Sequence, residues 1–463
     1  MNFDQLIDLN KDKLVKNTRE IVQIKSVEEE ALEGKPFGEG PAKALEYALE
    51  LSREMGFRTV NLDNYVGYVE YGNGDEYVAV LGHLDVVPEG KGWKYPPYGA
   101  EIHDNKIYGR GTIDDKGPIM AALYGLKAIK ESNTELSKKI RIIFGTNEES
   151  GCEEIEYYLS KEKPPIAGFT PDADYPVING EKGITVFELV KEFNVKGSKE
   201  KINYIKGGNK ANMVPDYCEA CIETNRADMI IEYADNFKEM LGFDITAKKV
   251  EDKVIIISKG KSAHGSTPEI GMNAIMQLFA FIGELEFEKC DATRFVEFMN
   301  MNVGFETNGE SFGVYMKDDV SGELSFNVGT IDMDENTVKL ELNLRYPVTH
   351  TFEEMMKGID KTLEGSGMII QNMSHQAPLY FSEDHELVKT LMNVYANVTG
   401  LEGKPFSIGG GTYAKEMPNT VAFGPLFPGQ EELAHQVDEY IDIDDLIMNA
   451  KIYAEAMYRL AKK

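Results

Sequence analysis

Cysteine is scarce: Cys152, Cys218, Cys221 and Cys290 are all that 463 residues contain. That excludes a small disulfide-stapled scaffold, and in a reducing compartment it leaves thiols rather than bridges. Cys218 and Cys221 form a C-x-x-C, but no second such pair completes a zinc site. They fall in YCEACIET, an alternating segment read as a strand, where residues three apart face opposite sides. Two buried structural thiols are expected there. No uninterrupted apolar run approaches membrane-spanning length, and the charged start MNFDQLIDLNKDKL is unlike a secretory signal. The chain is expected to be cytoplasmic, with no membrane partner. Positive charge is also short. Lys and Arg number 49 against 78 Asp and Glu, a formal net charge of -29, and the acidic residues are spread along the chain. Such a surface repels nucleic acid and anionic lipid, so no nucleic-acid partner is expected.

What is present is length and a change of pattern. A chain of 463 residues exceeds one ordinary core, so two or three domains are expected. Early on, helical and strand patterns alternate. Residues 40–56 have helical spacing and a terminal Gly, and 76–81 and 139–144 are short apolar strands. Residues 116–132 open with Gly-Pro, a good helix start. This alternation predicts an α/β fold, a doubly wound and mostly parallel sheet with ligands at the strand carboxyl ends. Near Gly180 the pattern shifts to longer alternating strands (184–195, 253–258, 338–345) interleaved with helices (230–241, 273–285, 352–363). That reads as an inserted α+β lid. After Phe381 come a helix (384–398), a Gly-rich loop, a strand at 420–423 and a terminal helix (443–461). The expectation is a discontinuous catalytic domain, 1–180 plus 381–463, interrupted by a lid domain, 181–380.

Chemistry-bearing residues follow the apolar runs in order. Gly82-His83-Leu84-Asp85 closes the run from Tyr77 to Leu81; a His and an Asp two apart point to one side of an extended chain. Asp114-Asp115-Lys116-Gly117, Asn147-Glu148-Glu149, Pro171-Asp172-Ala173-Asp174 and Ala434-His435 come next. His83, Asp114, Glu149, Asp172 and His435 supply two imidazoles and three carboxylates, a borderline N/O set that suits zinc, manganese or cobalt. Five ligands exceed one tetrahedral ion with an open position, but fit two ions bridged by a carboxylate, with Asp114 the natural bridge. Asp85 is placed to accept the His83 ring N–H and fix its tautomer. Adjacent loop residues cannot easily aim at one ion, so Glu149 is assigned as ligand and Glu148 as the general base. Asp172 and Asp174 could both reach the site. His264, in Ser262-Ala263-His264-Gly265-Ser266, reads either as a surface His or as a group that stabilises an oxyanion. The 407–412 loop, with Gly409 and Gly410, exposes backbone N–H groups suited to an anion.

The strings GHLDVVPEGKGW, YGRGTIDDKGP, NEESG, TPDADYPVINGEKGI, SAHGSTPE and GGGTYAKEMPN…FGPLFPGQEELAHQVDEY resemble the aminoacylase/carboxypeptidase-type di-zinc peptidases. Within them the resemblance is to the bacterial dipeptidase branch, peptidase V and the Xaa-His (carnosine-cleaving) dipeptidases. It spans about residues 37 to 440. It implies two divalent ions, zinc first with manganese or cobalt as alternatives, on His83, Asp114, Glu149, Asp172 (in preference to Asp174) and His435. It makes Glu148 the base that activates a water held between the ions, and His264 a stabiliser of the transition state reaching from the lid. Asn212 and Arg345 occupy lid positions that help bind substrate, Arg345 holding the terminal carboxylate with the Gly409–Gly410 loop. The implied activity is hydrolysis of unmodified dipeptides; the alternative within the family is deacylation or desuccinylation of N-acyl amino acids. The insert's length resembles the doubled lid of peptidase V, which implies a working monomer.

Overall fold

Burial on both faces is what makes the Tyr77–His83 strand central: all of its residues are buried, as expected of a strand inside a parallel sheet. It pairs in parallel with Lys139–Gly145 on one side and Ala167–Thr170 on the other. Ala167–Thr170 pairs in parallel with Thr420–Ala422. Val66–Tyr71 and then Arg58–Leu62 extend the far edge antiparallel. Successive residues feed two different cores. Val78, Val80, Ile140 and Ile142 join the cluster formed with Lys116–Glu131 and Ile443–Lys462, whereas Ala79, Leu81 and Ile143 join Ile155, Tyr158 and Tyr413 on the opposite face. The sheet is therefore covered on both sides around a parallel centre, the α/β architecture expected from the alternation.

The computed structural model describes residues 1–194 and 200–462. They divide into two units, Met1–Asn179 with Phe381–Phe406 and Gly411–Lys463, and Gly180–Tyr380 with Ser407–Gly410. The short Ser407–Gly410 segment groups with the insert rather than with the residues on either side of it.

The second unit is built on an eight-stranded sheet. Its order is Asp244–Val250, Lys253–Lys259, Tyr217–Glu223, Lys201–Gly207, Ser325–Asp334, Thr337–Tyr346, Gly183–Glu192 and Ile369–Gln376, with every pairing antiparallel. The strand expected over 184–195 runs Gly183–Glu192, and Val195 lies outside the described residues. Asn273 caps the Ala274–Glu284 helix, its side chain accepting from the Ile275 and Met276 N–H groups. A helix at Asp291–Asn302 was not anticipated. Cys218, Ala220 and Ile222 turn into the core cluster, while Cys221, on the alternate side of the strand, lies 3.8 Å from Asn203 Oδ1. Both cysteines are buried and free. No helix among the described residues is long and apolar enough to cross a membrane.

Candidate active site

Strand ends carry the first donors. His83 is the last residue of its central strand, and Glu148, Glu149 and Asp172 follow Lys139–Gly145 and Ala167–Thr170 by two to four residues. Close approach here requires glycine. A Cβ on Gly82 would collide with Asp115 Oδ2 and the Ile119 side chain, and one on Gly145 with the Tyr413 hydroxyl. Asp114 and His435 come from loops; His435 sits in the left-handed region at φ 65° and the Asp114–Asp115 peptide bond is cis.

The predicted donors converge in the first unit. His83 Nε2 lies 2.9 Å from Asp114 Oδ1 and 3.8 Å from Asp172 Oδ2. His435 Nε2 lies 3.1 Å from Asp114 Oδ2 and 3.0 Å from Glu149 Oε2. Donor atoms of His83, Asp114 and Glu149 fall within 4.8 Å of one another, and so do those of His83, Glu148 and Asp172. Glu148 is thus as close to the cluster as Glu149. Asp174 is not in either group; it is half-buried, with its carboxyl raised by burial and by Glu432. Asp85 is buried beside His83, but the nearest acceptor for His83 Nδ1 is the Asp85 carbonyl oxygen at 3.0 Å, with the carboxylate Oδ1 at 3.5 Å. The carboxylate instead accepts the Glu149 N–H at 3.0 Å through Oδ2. Asp85 therefore touches the surroundings of two donors, one through its backbone and one through its side chain.

Charge in this cluster is unbalanced. Burial pushes the carboxyl of Glu148 up to about 8, against His83 and with help from Glu149 and Asp114. Glu149 and Asp172 are also raised by burial and by the Asp114 charge. Asp114 alone is held well below the carboxylate range: burial opposes this, but the His435 and His83 imidazoles outweigh it. His435 in turn is raised to about 10 by Asp114 and Glu149. His83 Nε2 and Glu149 Oε1 are buried without a hydrogen-bond partner. Uncompensated buried carboxylates and an imidazole nitrogen with a free lone pair are what a divalent cation satisfies, so these residues fit a metal site.

A profile of peptidase family M20/M25/M40 matches residues 79–459, a span that contains every donor named above. The chain belongs to this peptidase family. It is 41% identical over its full length, and over the full length of the relative, to the candidate dipeptidase YtjP of Bacillus subtilis strain 168. Among solved structures, human carnosine dipeptidase 1 shares the fold at a TM-score of 0.58 and 17% identity, covering 100% of this chain and 98% of that one. Aminoacylhistidine dipeptidase from Vibrio alginolyticus does so at 0.60 and 15%, covering 97% of each. The chain is accordingly a peptidase, its substrate a peptide, in a family of divalent-metal enzymes.

The predicted lid residues gather within the second unit. His264 Nδ1 lies 2.6 Å from Ser266 Oγ, and burial, then Arg345, lowers the ring to about 4, so it is neutral at pH 7. Arg345 is buried; it donates to the Gly409 carbonyl at 2.6 Å and to Asn343 Oδ1 at 3.1 Å. Asn212 is exposed, and its carbonyl accepts the Gly265 N–H at 2.7 Å. A Cβ on Gly409 would stand 2.7 Å from Ser266 Cβ, so the glycine lets the 407–410 segment lie against the His264 loop. Gly410 is less crowded.

Residues that the sequence reading left without a role also surround these groups. In the first unit, Arg110 and Glu439 form a fully buried ion pair at 2.7 Å. Lys116, also fully buried, donates to the Ile24 carbonyl at 2.7 Å. In the second unit, Asn327 Nδ2 donates to the carbonyls on either side of Asn212, those of Ala211 at 2.8 Å and Met213 at 2.9 Å. Arg110, Lys116 and Glu439 stand inside motifs as single charged side chains and Asn327 stands in none, and the partners of all four lie far away along the chain.

Proposed function

We propose that this chain is a metal-dependent dipeptidase whose first unit carries two divalent ions, zinc foremost, and whose second unit supplies the groups that grip the substrate. The observation that carries the reading is the convergence on Asp114. Its two oxygens face His83 on one side and His435 with Glu149 on the other, the arrangement a bridging carboxylate needs. Together with Asp114, His83 and Asp172 would hold one ion, and Glu149 and His435 the other. YtjP and the two structural relatives carry dipeptidase in their names, which supports the same substrate class.

Ions bound there supply Lewis acidity, lowering the pKa of water and polarising the scissile carbonyl. The chain's residues do the rest. Glu148 takes a proton from the attacking water as its oxygen bonds to the carbonyl carbon, and delivers that proton to the leaving nitrogen as the C–N bond breaks. Asp85 keeps a proton on His83 Nδ1 through its carbonyl and anchors Glu149 through its carboxylate. With the Ser266 hydroxyl donating to His264 Nδ1, the neutral ring carries its proton on Nε2 and offers it to the developing oxyanion. Arg345, with the Gly409–Gly410 segment, holds the substrate's terminal carboxylate, and Asn212 adds an amide beside it. The chain works as a monomer in the cytoplasm.

The deciding experiment strips the purified chain with a chelator and restores Zn2+, Mn2+ or Co2+ before presenting dipeptides, N-acetyl and N-succinyl amino acids. Metal-dependent cleavage of dipeptides with free amino termini is the expected result. Turnover confined to the N-acyl compounds would replace this reading with the deacylase.

A further inference from the structure

Two of the donors lack a strand to hold them. His83 ends a central strand and Asp172 follows another by two residues, but Asp114 and His435 lie in loops far apart along the chain. Between those loops the structure has a reciprocal clamp. Arg110, on the Asp114 loop, donates through Nη2 to the His435 carbonyl and through Nη1 to the Gln436 carbonyl, each at 3.2 Å. Glu439, on the His435 loop, accepts through Oε1 from the Ile113 N–H at 3.0 Å, and from the Asp114 N–H and the Thr112 hydroxyl at 3.4 Å. The two side chains then meet, Arg110 Nη1 to Glu439 Oε2, at 2.7 Å. A backbone bond from Gly109 N to Glu439 O at 2.9 Å closes the assembly. Each loop sends one charged side chain into the backbone of the other.

A buried ion pair stabilises weakly compared with a well-packed apolar substitute, so its persistence here calls for another task, and fixing geometry is the one its contacts describe. We propose that Arg110 and Glu439 are positioning residues that set Asp114 against His435, and thereby govern selectively the affinity of the ion held by Asp114, Glu149 and His435. The ion on the strand-borne side, at His83 and Asp172, shares only the Asp114 bridge with the clamp and depends on it less. This rests on the two-ion reading given above. Groups that orient metal ligands without touching the metal change affinity by about 10- to 100-fold when lost.

The test titrates the metal-stripped full chain with Zn2+ against a chromophoric chelator, resolving two dissociation constants. Arg110→Lys keeps the charge but loses the fork that reaches both carbonyls. It should weaken one constant by about tenfold or more and leave the other within about threefold. Glu439→Gln, which keeps an acceptor for the Ile113 and Asp114 N–H groups, should lose less than Glu439→Ala on that same constant. Circular dichroism and thermal melting run in parallel. Equal weakening of both ions, no change in either, or unfolding of Arg110→Lys and Glu439→Gln alike would overturn the proposal and make the pair an element of fold stability. Failure of the dipeptidase reading is separable, because the readout is metal affinity. A wild-type chain that binds two ions but cleaves no dipeptide would sink that reading alone, and a single bound equivalent would sink the two-ion reading.

Discussion

Glu148 and Glu149 both reach His83, Glu149 together with Asp114 and Glu148 together with Asp172, so mutation is what separates their roles. Glu148→Gln should lower kcat by about 10²- to 10⁴-fold, the usual worth of a general base, with metal content by elemental analysis near wild type. Loss of an ion instead would mean that the two roles are exchanged. Asp85→Ala is a different lesion. It leaves the carbonyl that accepts from His83 but removes the acceptor of the Glu149 N–H, so metal affinity and rate should both fall about 10- to 100-fold while the circular dichroism spectrum persists. His264 offers a pH signature. Its ring is lowered to about 4 by burial and Arg345, so between that value and the ordinary 6.5 the unfolded chain binds a proton the folded chain refuses. Its contribution to stability is full above pH 6.5 and is lost as pH falls toward 4. A His264→Asn chain should therefore lose less melting temperature than wild type between pH 7 and 4.5; an equal loss would mean that the ring titrates alike in the folded and unfolded chain. His83, Glu148, Glu149 and Asp172 were legible because they end or follow apolar strands, whereas Asp114 and His435, on loops, were legible only through the motifs around them. Glu439 was not, since its partner Arg110 is 329 positions away and one buried carboxylate has no periodicity to betray it.

Among elements, the Ser325–Asp334 and Thr337–Tyr346 strands do more than pair. Their register sets Ser325 opposite Arg345 and Asn327 opposite Asn343, four polar side chains that are all buried. Ser325 donates to the Ser266 carbonyl at 2.8 Å, Asn327 to the carbonyls flanking Asn212, and Arg345 to Gly409. One row thus ties down the segments that carry His264, Asn212 and Gly409. Asn327→Ala would leave two carbonyls unpaired and free the Asn212 segment, so kcat/KM for dipeptides should fall about tenfold or more, as loosened positioning does, with metal content unchanged. A fall in metal content would place the row in fold stability instead. The alternation 338–345 announced the strand but not its partner, because period two states which residues share a face and never which strand lies opposite. Likewise Ser407–Gly410 reads as a loop of the surrounding domain by position; its bonds from Arg345 and to the Lys182 N–H assign it to the insert.

For the molecule as a whole, the second unit bears on the oligomeric state. Its sheet joins strands from both halves of the insert, Lys201–Gly207 pairing with Ser325–Asp334, so one chain completes all eight strands. A sheet that associates edge to edge needs a flat, unguarded edge. The Asp244–Val250 edge carries Lys248 and Lys249, both exposed. The other edge, Ile369–Gln376, is polar and largely exposed, its register breaks opposite Val186 and Glu188, and Asn372 takes a positive φ of 50°. Charge on one side and a bulge on the other are the devices that keep strands from pairing between chains, and a net charge of -29 adds long-range repulsion between copies. Sedimentation velocity should therefore find a single species near 51.8 kDa whose activity does not rise with protein concentration. Mixing offers the sharper measurement. If His264 serves the metals of its own chain, combining His264→Ala and Glu148→Gln proteins restores no turnover, since neither chain holds both groups. Recovery toward a quarter or a half of wild-type rate would require His264 from one copy to act on Glu148 of another, and the monomer would have to be abandoned.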